Sequence, residues 1–181
     1  LSSECFFCHV GSIDQKEGNP NDFTILEETV GCERCHGPGE LHAQKHHNKK
    51  SATLPLTDLT NPIEDGPDDT IVTPANLNRE LSEAICQQCH LQAAGKALRA
   101  GKEEWDYRPG TPLTDIRLDY QYRLGDDKMK VVGHVEQLHQ SKCYQQTETL
   151  TCITCHNPHD TPTPEKMAAH YRSICLDCHD N

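Results

Sequence analysis

The chain has 181 residues, only 34% of them hydrophobic and 5% aromatic, with a mean hydropathy of -0.75. That is too little apolar side chain for an ordinary core of this size, and it lies close to a disordered composition. The formal charge of -11 and the single short basic cluster, Lys45 to Lys50, argue against nucleic acid or an anionic membrane as partner, and no apolar run approaches membrane-spanning length.

Eleven cysteines and twelve histidines suggest what fills the interior instead. In chain order, one pattern recurs: Cys5-Phe-Phe-Cys8-His9, Cys32-Glu-Arg-Cys35-His36, Cys86-Gln-Gln-Cys89-His90, Cys152-Ile-Thr-Cys155-His156 and Cys175-Leu-Asp-Cys178-His179. Shuffling this composition predicts roughly 0.04 copies of C-x-x-C-H. Zinc knuckles do not need a histidine beside every second cysteine, and disulfides within each pair leave the histidines unexplained. The pattern is that of c-type haem attachment. Two thiols one helical turn apart reach the two vinyl groups on one porphyrin edge, and the next residue places its imidazole beneath the iron. The expectation is five haems c in one domain spanning residues 1–181. The fold is expected to be mainly α with much irregular loop, a compact multihaem cytochrome c in which stacked haems form the core. Without haem such a chain is expected to be unfolded.

Between the attachment sites, the chain reads as follows. After His36 comes Gly37-Pro38-Gly39 and then His42, six residues beyond a proximal ligand. Residues 45–73 carry Pro55, Pro62 and Pro67 with many Asp, Asn and Thr, and read as a surface loop. Thr73-Pro74 opens helical character that continues, with or without a break, through Cys86 to His90 and toward Ala100, with Gly101 as the stop. Ile116, Leu118, Tyr120, Tyr122 and Leu124 alternate with polar residues before a Gly125-Asp126-Asp127 turn, so a small hairpin is expected there. The pairs Asp68-Asp69 and Asp126-Asp127 suit calcium in composition but read better as solvated loop. Val132 to Gln145 reads as a short helix, and a second helix starts with Thr163 as N-cap and Pro164 at its first position. Haem-dense ends near 1–47 and 134–181 therefore flank motif-poor linkers near 48–73 and 102–131, joined through the central site.

His9, His36, His90, His156 and His179 are the proximal ligands, leaving His42, His46, His47, His134, His139, His159 and His170 against only two methionines, Met129 and Met167. That supply favours bis-His ligation and low potentials. His159 follows proximal His156 by three residues, too few to pass around a porphyrin edge, so it is expected to serve a neighbouring haem. The same reasoning applies to His42. His134 and His139 are about 140° apart on a helix and cannot serve one site; His134 is preferred. His170, and one of His46 and His47, complete the distal candidates. Cys143 is the odd thiol, read as packing, haem-adjacent or intermolecular.

Cys32 to His42, with its C-x-x-C-H-G-P-G-x-x-H spacing, resembles the element found in cytochrome c-554-like multihaem proteins and the related hydroxylamine oxidoreductase and octahaem tetrathionate reductase group. His134 to Tyr144, followed by Leu150 to His159, resembles multihaem relatives fused to tetratricopeptide repeats, as does Arg108 to Leu113. The resemblance implies a largely helical haem-stacking fold, electron transfer and export. It also implies His42, His134 and His159 as distal ligands and Cys143 as a family feature. The chain departs from the four-motif c-554 pattern in having five motifs, and it lacks the repeats of the fused proteins.

The expected function is electron transfer through mostly bis-His haems, as a carrier, a conduit subunit or a polymerising wire. The partners would be other redox proteins or copies of the same chain. The competing reading is an oxidoreductase with one open haem acting on a small nitrogen or sulfur compound. Covalent haem attachment is completed outside the cytoplasmic membrane, which places the protein in the periplasm or outside a prokaryotic cell. A start at Leu1 is what a processed chain or a segment of a longer one would show.

Overall fold

The computed structural model describes residues 3–19, 21–50, 68–91, 93–120 and 133–179. The first motif begins in helix α1 (Ser3–Phe7). Strands β1 (Ser12–Gln15) and β2 (Phe23–Glu27) then form an antiparallel hairpin in which Ile13 faces Ile25. Its connection is closed by Lys16, whose N–H donates to the Asp22 carbonyl and whose ammonium pairs with the Asp22 carboxylate, both at 3.0 Å.

The second motif occupies helix α2 (Glu33–His36), which stops because Gly37 adopts φ +75°, a left-handed conformation costly for any residue with a Cβ. Helix α3 (Glu40–Lys50) follows and carries His42, His46 and His47. Residues 45–50 of the expected surface loop are helical instead, and residues 51–67 of it lie outside the described residues.

Helix α4 (Arg79–His90) is the centre of the molecule. The Asn78 side chain caps it by accepting from Leu81 N–H at 2.9 Å, and its buried face is Ser82, Glu83, Ala84, Ile85 and Gln88. Ala84 joins Tyr107, Leu113 and Ile116 in the main apolar cluster, with Leu91 packed against it. The helix expected to run on toward Ala100 ends at His90. Residues Gly95–Leu98 form strand β3 instead, paired antiparallel with β4 (Arg117–Tyr120), with Ala97 opposite Leu118. The alternating stretch from Ile116 is extended as expected, but its partner is this earlier segment. The remainder of the expected hairpin, from Gln121 on, lies outside the described residues. Gly101, φ +70°, turns the chain after β3 rather than ending a helix.

The stretch expected as one helix from Val132 to Gln145 is two, α5 (His134–Gln140) and α6 (Lys142–Gln146), split at Ser141. Ser141 adopts extended dihedrals and its hydroxyl accepts from Tyr144 N–H at 3.1 Å, starting a new helix as it ends the old one. Helix α7 (Cys152–Cys155) holds the fourth motif, and α8 (Pro164–Leu176), with Thr163 at its N-cap as read from sequence, leads into the fifth. With two two-stranded sheets among helices and irregular loops, the fold is mixed rather than mainly α. Between Glu136 and His179 no described residue is buried.

Candidate haem-binding sites

Helix α4 presents the third motif to its neighbours from both cysteines. The Cys89 thiol is hydrogen-bonded to Cys8 of the first motif, and the Cys86 thiol to Cys152 of the fourth. The bond from Cys89 draws the Cys8 thiol down to about 6, while Cys89 itself is pushed up by that bond and by burial. The second pair repeats the pattern, with Cys152 lowered by its bond from Cys86 and Cys86 raised by the same bond and by burial. Cys155 lies within electrostatic reach of Cys175 and Cys178, which together with burial raise its thiol. Attachment cysteines from different motifs are thus neighbours, although each motif is local in sequence.

Two residues between the motifs hold this grouping. Arg34, inside the second motif, donates to the Phe7 carbonyl at 2.8 Å while its guanidinium lies 4.2 Å from the Phe7 ring and 4.9 Å from that of Trp105. Arg117, 1% exposed, donates to the carbonyls of Gln87 (3.2 Å) and Gln88 (3.0 Å), two of the last acceptors of α4, and pairs with Glu104 and Asp119. It therefore caps the helix end where His90 sits. Gln88 in turn donates to the Arg34 carbonyl at 3.0 Å, linking the third motif to the second.

The histidines fall into recognisable states. The Nδ1 of His36 lies 2.8 Å from the Val72 carbonyl. A carbonyl only accepts, so Nδ1 carries the hydrogen and Nε2 keeps its lone pair for a metal. His42 has the same polarity, with Nδ1 donating to Asp68 at 2.8 Å. His46 and His139 are the reverse: Nε2 donates to Asp68 (2.8 Å) and to Glu83 (2.9 Å) respectively. His156 has Nδ1 3.2 Å from the Tyr171 hydroxyl. His170 lies edge-on to the same Tyr171 ring, with centroids 5.2 Å apart. His9 and His47 are exposed.

Two spare histidines face proximal ones. His159 lies opposite His36 with ring centroids 5.9 Å apart and planes 15° from parallel; His134 lies opposite His90 at 6.2 Å and 31°. Two imidazoles holding one iron from opposite faces, each by a nitrogen about 2.0 Å from it, have centroids about 6 Å apart. Neither pair is at contact distance and both have the spacing of trans ligands, so the residues present fit the group that their motifs imply. His159 faces the second motif, not its own fourth.

Asp68, expected as solvated loop, instead gathers His42, His46, Lys45 (2.9 Å) and Thr70. Its hydrogen bonds from the Thr70 hydroxyl first, then Lys45, Thr70 N–H and His46, hold its carboxyl well below the usual carboxylate range. The ligand atoms of His42, His46 and Asp68 lie within 4.8 Å of one another, but the Lys45 ammonium already supplies the cation there.

These features define a c-type cytochrome with several haem attachment sites. The family described as cytochrome c554 and c-prime matches residues 1–37, and that of the doubled CXXCH motif matches residues 146–181. Cytochrome c-554 of Nitrosomonas europaea is 28% identical over 135 residues, covering 71% of this chain. The matched stretch spans 50% of that relative. No solved structure matches. The chain is thus similar at both ends to multihaem c-type cytochromes, a likeness that supports binding of c-type haem. Among the described residues, no helix is long and apolar enough to cross a membrane.

Proposed function

We propose that the chain is a five-haem electron-transfer protein in which the irons are mostly bis-His ligated. Haem c supplies one-electron exchange at iron between its ferric and ferrous states. The chain supplies attachment, orientation and axial ligands. Ten cysteines anchor the porphyrin edges, and His9, His36, His90, His156 and His179 are the proximal ligands. His159 and His134 complete the irons of the second and third motifs. His42, with Nδ1 held by the Asp68 carboxylate, has the polarity of a metal-ligating imidazole with its supporting acid and serves a further iron. His46 is less suited, because its Nε2 is committed to Asp68.

The observation that carries this reading is the trans-ligand spacing of the two histidine pairs. Irons held by those pairs would be low-spin and without an open position, which favours a carrier or conduit over an enzyme. The cysteine contacts support an order in which the first, third, fourth and fifth motifs follow one another, with the second beside the third. The first and fifth sites then end the path and face other redox proteins, or copies of this chain, in the periplasm or outside the cell.

The test is to mature the protein with its haems and replace the spare ligands. His159→Ala and His134→Ala should each convert one haem from low-spin to high-spin ferric iron in the EPR and absorption spectra, with the pyridine haemochrome count unchanged at five. A wild-type spectrum already rich in high-spin signal, or variants that leave it unaltered, would overturn the ligand assignment.

A further inference from the structure

We propose that Cys143 is the second axial ligand of the iron bound by His179, so that the fifth haem is a histidine/thiolate centre. The inference rests on the five-haem reading and goes beyond it by assigning the one cysteine that no attachment motif consumes.

The side chain set against Nε2 of His179 is Cys143, with its sulfur 3.8 Å away. An iron held between an imidazole nitrogen at about 2.0 Å and a thiolate sulfur at about 2.3 Å separates the two donor atoms by about 4.3 Å. The observed 3.8 Å is within reach of a thiol–imidazole hydrogen bond and about 0.5 Å short of that separation, so an iron seated between the two moves the sulfur outward by that amount. Three proximal histidines, His36, His90 and His179, thus each face a side chain that can donate to a metal. In the first two cases the donor is an imidazole; in the third it is sulfur.

The surroundings favour sulfur at this site. His159 and His134 lie opposite His36 and His90, His46 and His139 have Nε2 committed to Asp68 and Glu83, and His42 is assigned to a further iron. Cys143 also acts electrostatically on Cys155, as do Cys175 and Cys178, which puts it beside the thiols that anchor the last two haems.

The sulfur is presented by a fixed element. Helix α6 starts on the Ser141 cap and is tied to α4 through Arg79, which donates to the carbonyls of Tyr144 (3.0 Å) and Thr147 (2.7 Å). The Tyr144 hydroxyl donates to Glu83 at 3.0 Å, and its ring lies under the Arg79 guanidinium at 3.1 Å. These ties fix the backbone of the helix from which Cys143 projects.

Ligation needs the thiol to lose its proton to solvent; a sulfur–iron bond forms and no electron changes hands. An anionic sulfur donor stabilises ferric over ferrous iron, so this haem should have the lowest potential of the set.

The experiment uses the fully matured protein. Ferric EPR and near-infrared magnetic circular dichroism should show two low-spin classes, bis-imidazole and one thiolate-ligated centre with a narrower spread of g values. Cys143→Ser should remove the thiolate class and leave five haems by haemochrome count. Cys143→Met should keep the site low-spin and raise the midpoint of that one haem in a spectroelectrochemical titration. Should Cys143→Ser fail to fold, the wild-type spectrum decides by itself. A full count of five with only bis-imidazole signals, unchanged by Cys143→Ser, overturns this inference alone. A count below five overturns the underlying five-haem reading as well.

Discussion

The region around α4 and the region from α6 to the end of α8 are built on different principles. The first has a polypeptide interior: Ala84, Tyr107, Leu113 and Ile116 pack together, Phe7 and Arg117 are each 1% exposed, and Glu83 is buried with partners. The second carries two attachment motifs within 152–179 and buries no described residue. Its helices are sound locally, with Thr151 and Thr154 forming a capping box on α7, yet they have no side-chain core to share. Local caps can start a helix, but burial is what normally sustains a short one. In the second region, haem attached at the two motifs would provide that burial.

The comparison breaks most visibly if haem is withheld. Chain produced without cytochrome maturation should lose hydrogen-exchange protection completely over 142–179, while any residual protection is confined to 79–120. Equal loss in both regions, or a protected C-terminal region, would refute the distinction.

A large effect is expected at Arg117, where a buried guanidinium ties β4 to the end of α4. Arg117→Ala leaves the Asp119 carboxylate without its partner and Glu104 with Lys96 alone, and should cost about 3–5 kcal/mol, read as a lower midpoint in urea.

Glu83 links the two regions, because its carboxylate accepts from His139 and Tyr144. Glu83→Ala should cost about 1–3 kcal/mol and should free α5 and α6 before it affects the apolar cluster around α4. Hydrogen exchange resolved by segment would show this order.

The smallest effect concerns Asp68. A carboxyl whose folded pKa is depressed adds stability above its unfolded pKa of about 3.9 and loses it as pH falls toward the folded value. Docking of α3 should therefore weaken on acidification below that point. Asp68→Ala should remove this pH dependence and lower neutral-pH melting slightly, toward the value the unaltered chain shows in acid.

The attachment motifs are each written in five consecutive residues, and α8 was legible because Thr163-Pro164 starts a helix whatever lies around it. The cooperation of distant segments was not. Gly95–Leu98 continues an alanine-containing stretch that reads as helix, and only Ile116 to Tyr120, some twenty positions on, draws it into a sheet. The β1–β2 hairpin has alternation on both strands, Ser12-Ile13-Asp14 and Phe23-Thr24-Ile25, a signal present in the sequence but short. Asp68 gave no local sign that it would meet His42 and His46, nor did Arg117 that it would cap α4. The relation of His159 to another motif followed from chain length alone, but which motif it faces needed three dimensions. Cys143 announced itself only as a remainder.

One detail near the second motif has an engineering consequence. His36 and Val72, 36 positions apart, are joined twice, by Val72 N–H to the His36 carbonyl at 2.9 Å and by His36 Nδ1 to the Val72 carbonyl at 2.8 Å. The clasp closes the loop at its base and holds the His36 ring from both segments of chain, so a longer segment between residues 51 and 67 enters chiefly through the entropy of closing that loop. Doubling the length of a closed segment costs only about 0.6 kcal/mol. A peptide for grafting the cytochrome to an electrode or to a second catalyst can be inserted there with the second iron site left in register.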